Sequence, residues 1–234
     1  MKRGLIRSVV FIVPALVLAA LGWLGTDSTT QIPVHWGMDG QPDRYGGRLE
    51  AFFLLPAMMA GLSVLFAILP AIDPRGRNLE RSRIVLQTAW MGSLGLLLLI
   101  QAGLVAIGLG WVDPADTSLV PTLVLAGVGA LSVLLGNVLA KARPNWFVGI
   151  RTPWTLSSDL AWDKTHRLTG RLMVLAGLAI LSGVWFLPPE QQLALVLVAS
   201  LAPAVVGMVY SYRVWRSDPA RETATPEDAD PDAD

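Results

Sequence analysis

The stretch IVLQTAWMGSLGLLLLIQAGLVAIGLGWV, from Ile84 to Val112, decides the fold, because no charged side chain interrupts it. At 1.5 Å per residue, a helix needs about 20 apolar residues to cross a hydrocarbon core of about 30 Å. A helix on the surface of a water-soluble domain would instead carry charge along its outer face. Five more stretches read the same way: Val9 to Leu24, Ala51 to Ile72, Leu119 to Ala140, Leu172 to Leu187 and Leu193 to Tyr212. Together they predict an all-α fold, a polytopic integral membrane bundle with six transmembrane helices. The composition agrees, with 53% hydrophobic and 15% charged residues and a mean hydropathy of +0.53, outside the range of an average soluble domain. With no Cys in the chain, disulfides, thiol nucleophiles and thiolate metal sites are excluded.

Orientation follows from the basic residues, which are retained on the cytoplasmic side. Lys2, Arg3 and Arg7 precede the first span, and Arg75, Arg77, Arg81 and Arg83 separate the second from the third. Lys141, Arg143, Arg151, Lys164, Arg167 and Arg171 separate the fourth from the fifth, and Arg213, Arg216 and Arg221 follow the last. Only Arg44 and Arg48 fall in the alternate loops. Both termini are therefore expected in the cytoplasm of a multi-pass cell-membrane protein. Trp23, Trp111 and Trp185 close spans on the outer side and Trp215 closes one on the inner side, as an aromatic belt requires. A cleaved signal peptide competes for the N-terminus, with Lys2 to Arg7 as its basic region and Ala19-Ala20 as its small residues. Its loss would leave the other five spans oriented as described.

The spans hold Gln87, Gln101 and Asn137 but no Asp, Glu, Lys, Arg or His. A proton pump or ion-coupled transporter usually keeps an ionisable group at membrane depth, so the transporter or channel class is an alternative with little to build on. Ser132/Gly136 and Ala179/Gly183 offer small-xxx-small packing faces. Beyond Trp215 the chain reads SDPARETATPEDADPDAD, seven acids and one Arg in residues 217–234, and is expected to be a disordered acidic tail.

Two loops concentrate the special residues. The outer one, QIPVHWGMDGQPDRYGGR from Gln31 to Arg48, is too rich in Gly and Pro for helix. Asp39-Gly40 after the strand-like Ile32 to Trp36 signals a hairpin. Asp39, Asp43 and Glu50 match positions 1, 5 and 12 of a calcium loop, but Gln41 and Arg44 stand where a ligand and the turn Gly are needed. No metal is therefore expected, and the Asp residues are expected to cap turns or pair with Arg44 and Arg48. His35 reads either as a hydrogen-bonded loop histidine or as a ligand contact. The inner loop, KARPNWFVGIRTPWTLSSDLAWDKTHRLTGR from Lys141 to Arg171, is irregular through Pro144, Gly149 and Pro153. Ser157 or Ser158 can then cap a short helix that runs through Trp162 toward Gly170. Its Trp and Arg residues suit either a headgroup-level anchor or a protein-contact surface.

These loops carry a resemblance. The segment NWFVGIRTPWTLSSDLAWDKTHRLTGRL, Asn145 to Leu172, resembles the signature of the SdpI/YfhL family of prokaryotic toxin-immunity membrane proteins, an N-x-x-x-G-I-R-T-P-W-T-L core followed by W-x-x-T-H-R. IPVHWGMDGQPDRYGG, Ile32 to Gly47, is similar to the I-P-x-H-W-x-x-x-G-x-P-D segment of a small membrane domain of unknown function. Gly37 departs from that segment, where relatives often carry Asn. The resemblance implies two parts, residues 1–72 as a two-helix membrane domain with a structured outer loop and residues 73–216 as an SdpI-like four-helix domain with the motif-rich cytoplasmic loop 141–171; the acidic tail, residues 217–234, lies outside it. The resemblance also implies a role rather than a reaction: resistance to a secreted peptide toxin outside, and relay of its presence to a cytoplasmic repressor.

The candidate ligand contacts in the outer loop are His35, Trp36, Gly40, Pro42 and Asp43. The candidate partner contacts in the inner loop are Asn145, Trp146, Gly149, Arg151, Thr152, Pro153, Trp154, Thr155, Trp162, His166 and Arg167. No catalytic residue, cofactor or nucleic-acid partner is expected; the lipid bilayer is. An intramembrane enzyme is the weakest class, since His35 and His166 fall on opposite faces by the charge rule and cannot share a metal or a dyad. A one-sided site of His166, Asp163 and Asp159 is the form it would take.

Overall fold

The computed structural model describes residues 2–113 and 119–222. Helix α1 (Lys2–Gly25) leads through a hairpin of β1 (Ile32–Trp36) and β2 (Pro42–Gly46) into α2 (Arg48–Ile72). A short α3 (Gly76–Arg81) precedes α4 (Arg83–Gly108), and α5 (Leu119–Leu139) follows. After the inner segment come α6 (Pro153–Leu156), α7 (Asp159–Gly183) and α8 (Pro189–Arg216), then a 3-10 turn at Pro219–Glu222. Among the described residues the fold is thus helical apart from one small antiparallel hairpin.

Five of these helices, α1 from Arg3, α2, α4, α5 and α8, are long and apolar enough to cross a membrane. Most of the sixth expected span, Leu172 to Leu187, lies in α7, which is not among these five. A short helix ending near Gly170 and a separate span to Leu187 were expected there; instead one helix runs unbroken from Asp159 to Gly183. No Pro interrupts this stretch, and Gly170 serves packing rather than termination.

That packing explains the tightest helix pair. A Cβ added at Gly136 of α5 would lie 2.6 Å from the Gly170 carbonyl oxygen, and one at Gly170 would lie 2.6 Å from that of Gly136. Two turns away, a Cβ at Gly177 would meet the Gly129 oxygen at 2.5 Å. The backbones of α5 and α7 therefore touch at two levels, each helix contributing glycines seven residues apart. Close backbone approach is how membrane helices gain packing energy, since lipid tails supply no hydrophobic drive. The expected pair Ala179/Gly183 plays no such part, as Gly183 faces Leu195 of α8.

Helices α1, α2 and α4 pack together, α5, α7 and α8 form a second group, and α4 joins α5. Across the division expected at residue 72, α4 packs on α1 and α2 as well as on α5. Trp90 of α4 stacks on Phe66 of α2 with centroids 5.7 Å apart, and its indole donates to Ser63. Pro56 has no N–H for the Phe52 carbonyl one turn earlier, which the buried Gln101 side chain reaches instead at 3.0 Å. A backbone carbonyl orphaned by proline is thereby satisfied away from water. Apolar side chains such as Val13, Leu65, Leu201 and Val205 stay exposed on the lateral faces, as lipid contact requires.

The hairpin lies at the end of the bundle where α4 finishes and α8 begins: Gly108 packs near Ile32, and Gly40 against Pro189. The inner segment lies at the other end, among α3, the start of α4 and the end of α8. The start of the expected disordered tail is folded there. Asp218 is buried and accepts a hydrogen bond from Ser158. Residues 223–234 of that tail lie outside the described residues.

Candidate functional site

At the hairpin end, two irregularities shape the ladder. Pro33 pairs with Tyr45, His35 with Arg44 and Trp36 with Pro42, so Val34 and Asp43 are each an extra residue that twists the strands. Gly40 turns the chain at φ 75°, and Asp39 caps the turn by accepting the Gln41 N–H. His35 Nδ1 lies 2.6 Å from Asp43 Oδ1, with both side chains more than half exposed. Arg44 pairs with Glu50 at 2.6 Å. Arg48 stacks over the Trp23 ring at 4.3 Å and donates to the carbonyls of Trp23 and Thr26. The turn cap was expected; the partners differ, since Asp43 takes His35 rather than an arginine.

The expected outer contacts divide by burial. His35 and Asp43 are exposed, together with Met38 and Tyr45. Gly40 is buried under Pro189. Trp36 packs partly buried against the cluster of Ile32, Ala51 and Phe52, so it supports the hairpin as much as it presents a surface. Among the described residues no group of three His, Asp or Glu side chains converges as metal ligands.

At the opposite end, the inner segment is a folded knot. Asn145 is fully buried. Its Oδ1 accepts the N–H groups of Phe147 and Val148, and its Nδ2 donates to the Arg143 carbonyl. Thr152 caps α6 in a reciprocal box with Thr155, which satisfies two backbone donors at a helix start. Trp154 and Thr152 both reach Ser211 of α8. Ser158 caps α7 by accepting the Ala161 N–H, one of the two caps the sequence offered. Trp162 is fully buried, donates to the Ala142 carbonyl and stacks on His166 with centroids 4.0 Å apart.

His166 sits in the first turns of α7, ahead of its apolar run. Its Nε2 accepts the Ile150 N–H at 3.0 Å, and Nδ1 lies 2.7 Å from the Trp162 carbonyl oxygen. This assigns the neutral tautomer with the proton on Nδ1. Burial pushes its pKa below the usual value of 6.5, against smaller upward pulls from the Trp162 carbonyl and the Asp163 charge. Gly149 makes the arrangement possible: it stands at φ 106°, and a Cβ there would lie 2.1 Å from Nε2. With both nitrogens engaged by backbone, His166 offers no free base to the exposed Asp159 and Asp163.

The expected inner contacts therefore split. Asn145, Thr152, Thr155, Trp162 and His166 are buried within the protein and hold the segment's shape. Trp146, Arg151, Pro153 and Arg167 are exposed, and Arg151 donates to the Trp146 carbonyl at 2.6 Å. Four supporting residues escaped the sequence reading. Asp73 accepts the Trp146 N–H, Asn78 donates to the Pro144 carbonyl, Ser82 accepts the Arg143 N–H, and Ser211 receives Trp154. Asp73-Pro74 was a turn signal of its own; the others carried none.

Residues 141–211 match the SdpI/YfhL protein family, and residues 9–60 match a domain of unknown function, DUF1648. Immunity protein SdpI of Bacillus subtilis (strain 168) is 25% identical over 188 residues, which cover 80% of this chain and 84% of that protein. No solved structure matches.

Proposed function

We propose that this multi-pass protein of the cell membrane, which joins the hairpin of a DUF1648 segment to the folded loop of an SdpI/YfhL segment, is an immunity protein. It protects its cell against a secreted peptide toxin and relays the toxin's presence to a cytoplasmic repressor. The observation that carries this reading is the two-ended layout: a compact hairpin at one end, a compact motif segment at the other, and a tightly packed bundle between them. The similarity to Immunity protein SdpI over most of both chains supports it. By the distribution of basic residues, the hairpin end is outside and the motif end inside.

On this reading the toxin meets the exposed His35–Asp43 pair flanked by Met38 and Tyr45. Such a surface offers an amphipathic peptide both a polar and an apolar contact. The repressor meets the exposed Trp146, Arg151 and Pro153. Expression in a Bacillus subtilis strain lacking its own SdpI, challenged with the toxin which that protein counters, tests this. Survival is expected to rise with the intact chain and to fall at least tenfold for Asp43→Ala at matched protein level. Full protection by Asp43→Ala would remove the hairpin from the toxin site, and no protection by the intact chain would overturn the assignment for that toxin.

A further inference from the structure

On the lateral face of α5 and α7, toward the motif end, lies a cleft of about 530 Å³. Gly136, Asn137, Ala140, Gly170, Val174 and Leu175 line it, with Arg167 and Arg171. The cleft follows from the glycine contacts, because helices that touch at Gly136 and Gly170 leave a furrow beside the contact with no side chain to fill it. Arg167 and Arg171 are one turn apart on α7 and both exposed, and neither forms an ion pair or hydrogen bond among the described residues. Asp163, four residues before Arg167, makes no pair with it. Asn137 is likewise exposed on the facing helix. Away from the arginines, the same face continues as exposed Leu134, Leu175 and Leu178.

We infer that this cleft seats one anionic phospholipid, its phosphate held by Arg167 and Arg171, its ester region against Asn137 and an acyl chain along Val174, Leu175 and Leu178. Two guanidiniums with free donors match the oxygens of one phosphate. Basic pockets between membrane helices on the cytoplasmic side suit such headgroups. A lone lipid-facing arginine would only snorkel to the interface; two arginines on one turn, over a furrow that leads into an apolar face, specify an amphiphile. The site is distinct from the hairpin and from Trp146 and Arg151, so it does not depend on the proposed immunity role.

The purified protein in zwitterionic detergent, titrated with phosphatidylglycerol and followed by native mass spectrometry and thermal denaturation, tests the inference. Saturable binding of one lipid with a raised Tm is expected. Phosphatidylcholine should bind at least tenfold more weakly, and inorganic phosphate should leave Tm unchanged. Arg167→Gln/Arg171→Gln should lose at least tenfold in affinity, whereas Arg167→Lys/Arg171→Lys should lose less. Arg81→Gln/Arg83→Gln, equally basic but elsewhere at the same end, should stay within twofold. Ala140→Trp, which fills the furrow and leaves both arginines, should also abolish binding while the lipid-free Tm is kept. Unchanged affinity in Arg167→Gln/Arg171→Gln or in Ala140→Trp would overturn the proposal. Equal losses in the Arg81/Arg83 variant, or a Tm shift with phosphate alone, would do the same.

Discussion

His166 shows how one residue type in a polar loop can become structure. Its neutral ring accepts from Ile150 and bonds to the Trp162 carbonyl, and burial holds its pKa below 6.5. The sign of the pH effect follows. As pH falls below 6.5 the unfolded chain takes up a proton that the folded chain refuses, so the unfolded state binds more protons and stability declines. The slope is at most about 1.4 kcal/mol per pH unit, and it ends once pH reaches the depressed folded value. Thermal denaturation between pH 7.5 and 5.5 should therefore show a falling Tm below pH 6.5 that is flattened in His166→Gln. An identical slope in the variant would assign the effect to other groups. Gly149→Ala adds strain at φ 106° and drives a methyl into Nε2. Displacing Nε2 leaves the Ile150 N–H unsatisfied, at a cost of about 1–3 kcal/mol. Gly47→Ala, with nothing within 4 Å of the added atom, should be close to neutral in the same assay.

Among the elements, α5 and α7 are held by backbone contact, so they should be the least tolerant of added volume. Gly136→Leu must separate the helices or fold its side chain over the Gly170 carbonyl, and overpacking of this kind costs about 1–3 kcal/mol or more. Gly61→Leu, at a position where an added Cβ meets nothing within 4 Å, should leave detergent stability almost unchanged. Equal losses would mean that the glycine contacts carry little of the packing. The hairpin was legible in the sequence, since Asp39-Gly40 between Ile32 to Trp36 and Pro42 supplies its own turn chemistry. The continuity of α7 was not. Lys164, Arg167 and Arg171 interrupt the apolar run and moved the expected boundary to Leu172, yet charge ends a membrane span without ending a helix. The α5–α7 contact was also hidden, because its glycines recur at seven residues rather than four.

For the whole molecule, the apolar runs made the helical membrane class and the five span-length apolar helices legible, and the two motif loops lie at opposite ends of the bundle. Burial at the motif end was not legible, because it depends on Asp73, Asn78, Ser82 and Ser211, which lie 57 to 73 residues away in sequence from the groups they hold. A Trp or His in a polar stretch looks available to a partner until such distant elements close over it. A receiver of an extracellular toxin requires that the hairpin face outward and the motif segment inward. The chain has no Cys, so single cysteines introduced at the exposed Met38 and Ser157 report on the two ends without background. In intact cells, a membrane-impermeant thiol reagent should label Met38→Cys fully and Ser157→Cys only after permeabilisation. Labelling of Ser157→Cys in intact cells, with Met38→Cys protected, would reverse the orientation and rule out the proposed receiver.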